Sequence, residues 1–129
     1  MSDSKPRIAV INDDTAFLDL MHELLESEGF EVVPYREYQD VQKKIKAALP
    51  DLVVLDVVMS GEERGWQILE LLTLDPVTRG VPIIVCTAAI RSLRDREEQL
   101  NRLGIRSLPK PFDLDDLLAL VRDALRTRG

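Results

Sequence analysis

Four short stretches of the 129-residue chain set carboxylates, a hydroxyl and an ammonium where apolar runs stop. Asn12, Asp13 and Asp14 follow RIAVI. Asp56 lies within DLVVLDV. Thr87, with Ala88 and Ala89 behind it, follows VPIIVC. Lys110 stands between Pro109 and Pro111. Gathered in one crevice, the carboxylates would repel one another unless a cation sat among them, and hard oxygen donors suit Mg²⁺. Lysine adds a fixed positive charge that can hold an anion. The threonine hydroxyl adds a donor for an oxyanion. Together these are the parts of phosphoryl chemistry, where catalysis is mostly positioning and charge neutralisation. An aspartate nucleophile would yield an acyl phosphate.

Each residue also has a plainer role when taken singly. Asp56 suits a structural cap on the next loop. Asp13 and Asp14 suit the positive end of the following helix, a role compatible with holding a metal. Lys110 suits a solvated turn, and Thr87 an ordinary strand end. His22, the only histidine, reads as a solvated surface residue, Cys86 as strand core and Trp66 as partly buried. Arg91, Arg94, Arg96 and Arg102 read as a solvated face, with partner docking as the alternative.

The elements that must position these residues are visible as alternating short apolar runs and longer amphipathic ones. Strands are expected at Arg7–Ile11, 30–33, 51–57, 81–86 and 105–108. Helices are expected at Thr15–Ser27, 37–49, Gly65–Leu74, 92–103 and 114–126, each with apolar residues at helical spacing. Gly29 stops the first helix, and Pro34 marks the second strand as an edge. The 92–103 helix is heavily charged, with only Leu93, Leu100 and Leu103 as anchors. Residues 126–129 read as a frayed end. Five βα units whose strands are apolar throughout predict an α/β protein: a doubly wound, five-stranded parallel sheet covered on both faces. In such sheets function gathers at the carboxyl ends of the strands, where all four stretches fall.

Composition sets the bounds. Hydrophobic residues make up 45% and charged residues 31%, as in ordinary globular domains. The net charge of −6 argues against direct binding of nucleic acid. The lone Cys86 fits a reducing compartment. The opening MSDSKPRIAVIND has too short an apolar run for a signal peptide, and no stretch reaches the length of a membrane span. The expectation is a cytoplasmic protein of one domain over residues 1–129, with no output domain.

The segments IAVINDD, LVVLDVVM, VCTAA and LPKPF, in that order, resemble the receiver domain of two-component response regulators over nearly the whole chain. The resemblance implies a flavodoxin-like receiver fold with Asp56 as phosphoacceptor, supplied by a phosphohistidine of a histidine kinase or phosphotransfer protein. It implies Mg²⁺ held by Asp13, Asp56 and the backbone carbonyl of Val58, with Asn12 acting through water. Thr87 would bond the phosphoryl oxygen and move toward it. Ala88 would leave room for the group, Lys110 would pair with it, and a cis bond would precede Pro111. Phosphorylation would alter binding to a downstream partner, with a homodimer as one outcome. The domain would be no turnover enzyme, catalysing only its own phosphotransfer and slow dephosphorylation.

The chain departs from the family pattern in several places. Asn12 replaces one member of the usual acidic pair and predicts weaker Mg²⁺ binding. Ser60 stands where proline is common, and Gly61 to Arg64 lengthen the loop before Gly65. Ser107 replaces the aromatic ring that usually swings inward with the threonine, so readout would fall to another element such as the charged fourth helix. Val58 and Ala89 flank the path of the hydrolytic water, and neither can orient it, which predicts slow self-dephosphorylation. Asn12 and Ser107 also feed an alternative, a pseudo-receiver that binds partners without taking phosphate. A Mg²⁺-dependent hydrolase would need a second acid–base Asp where Val58 stands. A flavin carrier would need a phosphate loop where Asn12, Asp13 and Asp14 would repel the phosphate.

Overall fold

The computed structural model describes residues 5–127 of the chain, with side chains through Arg126. Five strands, β1 (Arg7–Ile11), β2 (Glu31–Tyr35), β3 (Leu52–Leu55), β4 (Ile83–Thr87) and β5 (Arg106–Pro109), form one parallel sheet in the order β2-β1-β3-β4-β5. The helices are α1 (Thr15–Ser27), α2 (Val41–Ala48), α3 (Gly65–Leu74), α4 (Ile90–Asp95), α5 (Glu97–Leu103) and α6 (Leu114–Thr127).

The pleat sorts the apolar strands onto two cores. Ala9, Ile11, Val53, Leu55, Ile83 and Val85 pack on one face against Val41, Ile45, Leu69, Leu72, Leu93 and Leu100 from α2 to α5. The residues between them, Ile8, Val10, Leu52, Val54, Ile84 and Cys86, pack on the other face against α1 and α6 through Leu18, Met21, Leu25, Leu117 and Val121. Side chains alternate across a strand, so a run that is apolar at every position must be covered twice. The expected doubly wound architecture is present, and Pro34 lies in an edge strand as read. Cys86 is core, and burial pushes its thiol up to about 12.

Several boundaries differ from expectation. The second strand runs 31–35, later than 30–33, because Phe30 is taken up by the helix-closing turn, its N–H donating to Leu25. The second helix starts only at Val41. Asp40 before it sits at φ 57°, a left-handed turn that no helix spans, so Tyr38 belongs to the loop. The expected helix over 92–103 is two helices meeting at Arg96, whose backbone leaves the helical range (φ −105°, ψ 4°). Of its three anchors, Leu93 and Leu100 are buried while Leu103 is exposed. Trp66 is fully buried rather than partly so. Arg126 and Thr127 continue α6, and the remainder of the expected frayed end lies outside the described residues.

Candidate functional site

The strand registers bring the four stretches to one edge of the sheet. Ile11 is level with Leu55, Leu55 with Val85, and Thr87 with Pro109. The residues after β1, β3 and β5 therefore open into one crevice with the end of β4.

Asp56 is its centre. Its side chain is 9% exposed, so only one edge of the carboxylate reaches the surface. Its Oδ1 accepts the Val58 N–H at 3.0 Å, and its Oδ2 faces Lys110 Nζ at 3.2 Å and Asn12 Nδ2 at 3.4 Å. Lys110 is held on a track. Its backbone N–H donates to the Thr87 carbonyl at 2.9 Å, and its ammonium lies 4.5 Å from the centre of the Phe17 ring. A cation over an aromatic face gains roughly 0.5–1 kcal/mol at such sites, and this keeps the lysine inward. The Lys110–Pro111 bond is cis, as the resemblance implies.

The acidic run after β1 divides its work. Asp14 is the N-cap of α1, its Oδ1 accepting from Ala16 and Phe17 N–H groups. Asp13 is thereby left for the crevice, where its Oδ2 accepts both the N–H and the hydroxyl of Ser60, at 2.9 and 3.0 Å. The Ser60 contact was not legible beforehand, yet it explains the departure from proline. Ser60 (φ 52°) and Gly61 (φ 78°) form a tight turn closed by reciprocal Met59–Glu62 backbone bonds. Proline has neither an N–H to donate nor access to positive φ. Asn12 is buried, its side-chain oxygen accepting from the Asp14 N–H at 2.9 Å while its amide nitrogen turns to Asp56. Thr87 is buried at the end of β4, and its hydroxyl oxygen accepts the Ala89 N–H at 3.2 Å.

Two further residues enter the site that the sequence reading placed elsewhere. Tyr38 is buried, and its hydroxyl donates to the backbone carbonyl of Asp56 at 2.8 Å. Burial, and then the charges of Asp56 and Asp13, push its ionisation well above the usual tyrosine value, so it stays a neutral donor. An aromatic hydroxyl in the loop after an edge strand, on the crevice side of the sheet, was the available signal. Trp66, near the start of α3, donates its indole N–H to Ser92 Oγ at 2.7 Å, and Ser92 donates in turn to Glu63 at 2.8 Å. Arg96 lies 4.9 Å above the Trp66 ring and pairs with Glu70 at 3.6 Å, so it is not part of a merely solvated face; Arg91, Arg94 and Arg102 are exposed. His22 is exposed beside Glu26.

The oxygen-rich donor set fits a hard divalent ion. Asp13 and Asp56 offer carboxylates, both near enough to act on Tyr38, and backbone carbonyls follow each. Among the described residues no group of three or more His, Cys, Asp or Glu side chains could hold a metal. A metal here would keep several waters, as Mg²⁺ does. Ser107 is exposed on β5 beside a groove of about 460 Å³ that Ile90, Leu93, Arg94 and Leu100 also line.

A parallel α/β sheet with an aspartate, a lysine and a threonine at neighbouring strand ends defines a class of α/β domains whose polar groups gather at the carboxyl ends of the strands. The chain belongs within it to the response regulator receiver domain family, whose sequence model matches residues 8–122. It is 32% identical over 124 residues to the phosphate regulon transcriptional regulatory protein PhoB of Rhizobium meliloti, covering 94% of this chain and 52% of that protein. The chain spans about half the length of the curated relatives it matches. The crystal structure of a CheY-like response regulator receiver domain protein from Methanospirillum hungatei superposes with a TM-score of 0.81 at 30% identity, covering 97% of both chains. The receiver domain of a sensor histidine kinase from Pseudomonas aeruginosa, with a magnesium ion coordinated in its active-site cleft, superposes at 0.80 and 19% identity, covering 96% of this chain and all of that one. Among the described residues no helix is long and apolar enough to cross a membrane.

Proposed function

We propose that this chain is a phosphorylation-dependent switch of the cytoplasm in which Asp56 takes a phosphoryl group from the phosphohistidine of a histidine kinase or phosphotransfer protein. A carboxylate oxygen of Asp56 attacks phosphorus, the P–N bond to imidazole breaks, and an aspartyl phosphate forms while the imidazole leaves with its electron pair. The single observation that carries the reading is the Lys110–Asp56 pair at 3.2 Å, at the mouth of a crevice. An ammonium held there neutralises charge gathering on the phosphoryl oxygens. Thr87 supplies the hydroxyl donor, and Ala88 leaves room beside it.

Asp13, Asp56, the Val58 carbonyl and, through water, Asn12 are the groups that would hold Mg²⁺. When bound, the ion supplies further neutralisation of the phosphoryl oxygens. Asn12 donates to Asp56 instead of repelling it, which lowers the charge offered to the cation. The downstream partner is a protein rather than nucleic acid, in keeping with the net charge of −6.

Incubation with phosphoramidate or acetyl phosphate and Mg²⁺, followed by intact mass, tests the reading. One added phosphoryl group is expected, lost in Asp56→Asn. No added mass under any condition would leave the pseudo-receiver reading, in which Asn12 and Ser107 mark a module that binds partners without phosphate.

A further inference from the structure

We propose that Tyr38 is a positioning residue for the acceptor: with Gly65, it pins the two peptides after Asp56 and so fixes which way the carboxylate faces. The proposal rests on the reading of Asp56 as acceptor and adds to it a residue from a different loop.

The pinning comes from two sides. The Tyr38 hydroxyl donates to the Asp56 carbonyl at 2.8 Å, holding the 56–57 peptide. The Gly65 N–H donates to the Val57 carbonyl at 3.1 Å, holding the 57–58 peptide. The approach on the Gly65 side needs a residue without a side chain. A Cβ there would lie 2.2 Å from Val57 Cα and 2.9 Å from the Asp56 carbonyl oxygen. Both peptides are therefore clamped before the backbone reaches Val58.

The clamp transmits to the carboxylate through one bond. With residues 56–58 fixed, the Val58 N–H points back and takes Asp56 Oδ1 at 3.0 Å. Oδ2 is then the oxygen presented to Lys110 and Asn12. The Val58 N–H belongs to the 57–58 peptide that Gly65 holds, whereas Asp56 itself is anchored to it through the 56–57 peptide; if that peptide rocks, Asp56 shifts against the Val58 N–H, and the carboxylate loses its fixed rotation. The ring of Tyr38 meanwhile sits in the core with Met59 and Trp66, so the hydroxyl cannot wander from its target. The ring fills space; the oxygen does the positioning.

Tyr38→Phe separates these roles, since it keeps the ring and deletes the oxygen. Phosphorylation of wild type and variant is followed by intact mass over a range of phosphoramidate concentrations at fixed Mg²⁺, alongside thermal unfolding and amide exchange. The expected result is a maximal rate lower by about tenfold with the half-saturating phosphoramidate concentration within about twofold of wild type, since misorientation taxes the reacting geometry and not the encounter. The amides of Val58 and Gly65 should exchange at least about fivefold faster, with those of β1 and α6 unchanged. A wild-type maximal rate overturns the proposal, whatever the melting temperature does. So does unchanged exchange at Val58 and Gly65. If wild type takes no phosphoryl group at all, the acceptor reading fails on its own, and the exchange comparison still decides whether the Tyr38 hydroxyl clamps the strand end.

Discussion

At the scale of single residues, the crevice is arranged by division of labour among neighbours. Asp14 caps α1, and that frees Asp13 to meet Ser60 across the mouth. Asn12 gives up a charge and gains a donor aimed at Asp56. Val58 and Ala89 line one cleft together with Glu63, Arg91, Ser92 and Asp95, but the two side chains that flank the path of the hydrolytic water are aliphatic and cannot orient it. The aspartyl phosphate is therefore expected to persist for minutes or longer at neutral pH with Mg²⁺, read as decay of the phosphorylated mass after removal of donor. Ala89→Glu, which sets a carboxylate against that path, should shorten the lifetime severalfold. A wild-type lifetime of seconds would contradict the account.

The four chemical positions were legible because each follows an apolar run, and parallel strands bring such ends together. Ser60 was not, since its part depends on a positive-φ turn and on an aspartate 47 positions away. Tyr38 was misplaced for a physical reason. With Val41 and Ile45 it makes an acceptable helical stripe, and only the left-handed Asp40 between them breaks it.

At the scale of elements, the division of the fourth predicted helix matters most. Charge and weak anchoring were visible in 92–103; the break at Arg96 was not, nor was the stacking of Arg96 over Trp66, far off in sequence. Trp66 joins α3 to α4 through Ser92, and to the start of α5 through the Arg96 guanidinium, while Glu63 reaches the same serine from the loop after β3. A loop that borders Asp56 is thus wired to the helix beside Ser107. Ser92→Ala would leave the buried indole N–H without its acceptor, and stability should fall by about 1–3 kcal/mol in denaturant unfolding. A loss within experimental error would mean that Glu63 takes over as acceptor and that the serine is dispensable.

At the scale of the whole molecule, the fold was legible in outline because two-faced burial of the strands forces helices onto both sides. Acid stability offers a global check. Lys46 on α2 pairs with Asp75 after α3 at 3.0 Å, clasping the two helices, and the Val77 N–H donates to the same carboxylate at 2.8 Å. These bonds, the Val77 N–H first and then Lys46, hold the Asp75 carboxyl below its ordinary value of 3.8. Its folded-state value is thus depressed, so the unfolded chain binds the proton more readily. The stabilisation is present above about pH 4 and is lost as pH falls further. Asp75→Asn should lower the melting temperature at pH 7, and the gap from wild type should narrow below pH 4. A gap that is constant with pH would show that the charge contributes nothing.

Both margins of the sheet carry a proline: Pro34 in β2 and Pro109 in β5, strands of five and four residues. Each removes an N–H from the hydrogen-bonding row that another polypeptide would need. A growing chain emerging beside its copies therefore finds no long, unbroken rim to copy onto, and amyloid-like stacking is discouraged at the outset. Joining two molecules edge to edge into one continuous sheet is disfavoured at both margins for the same reason.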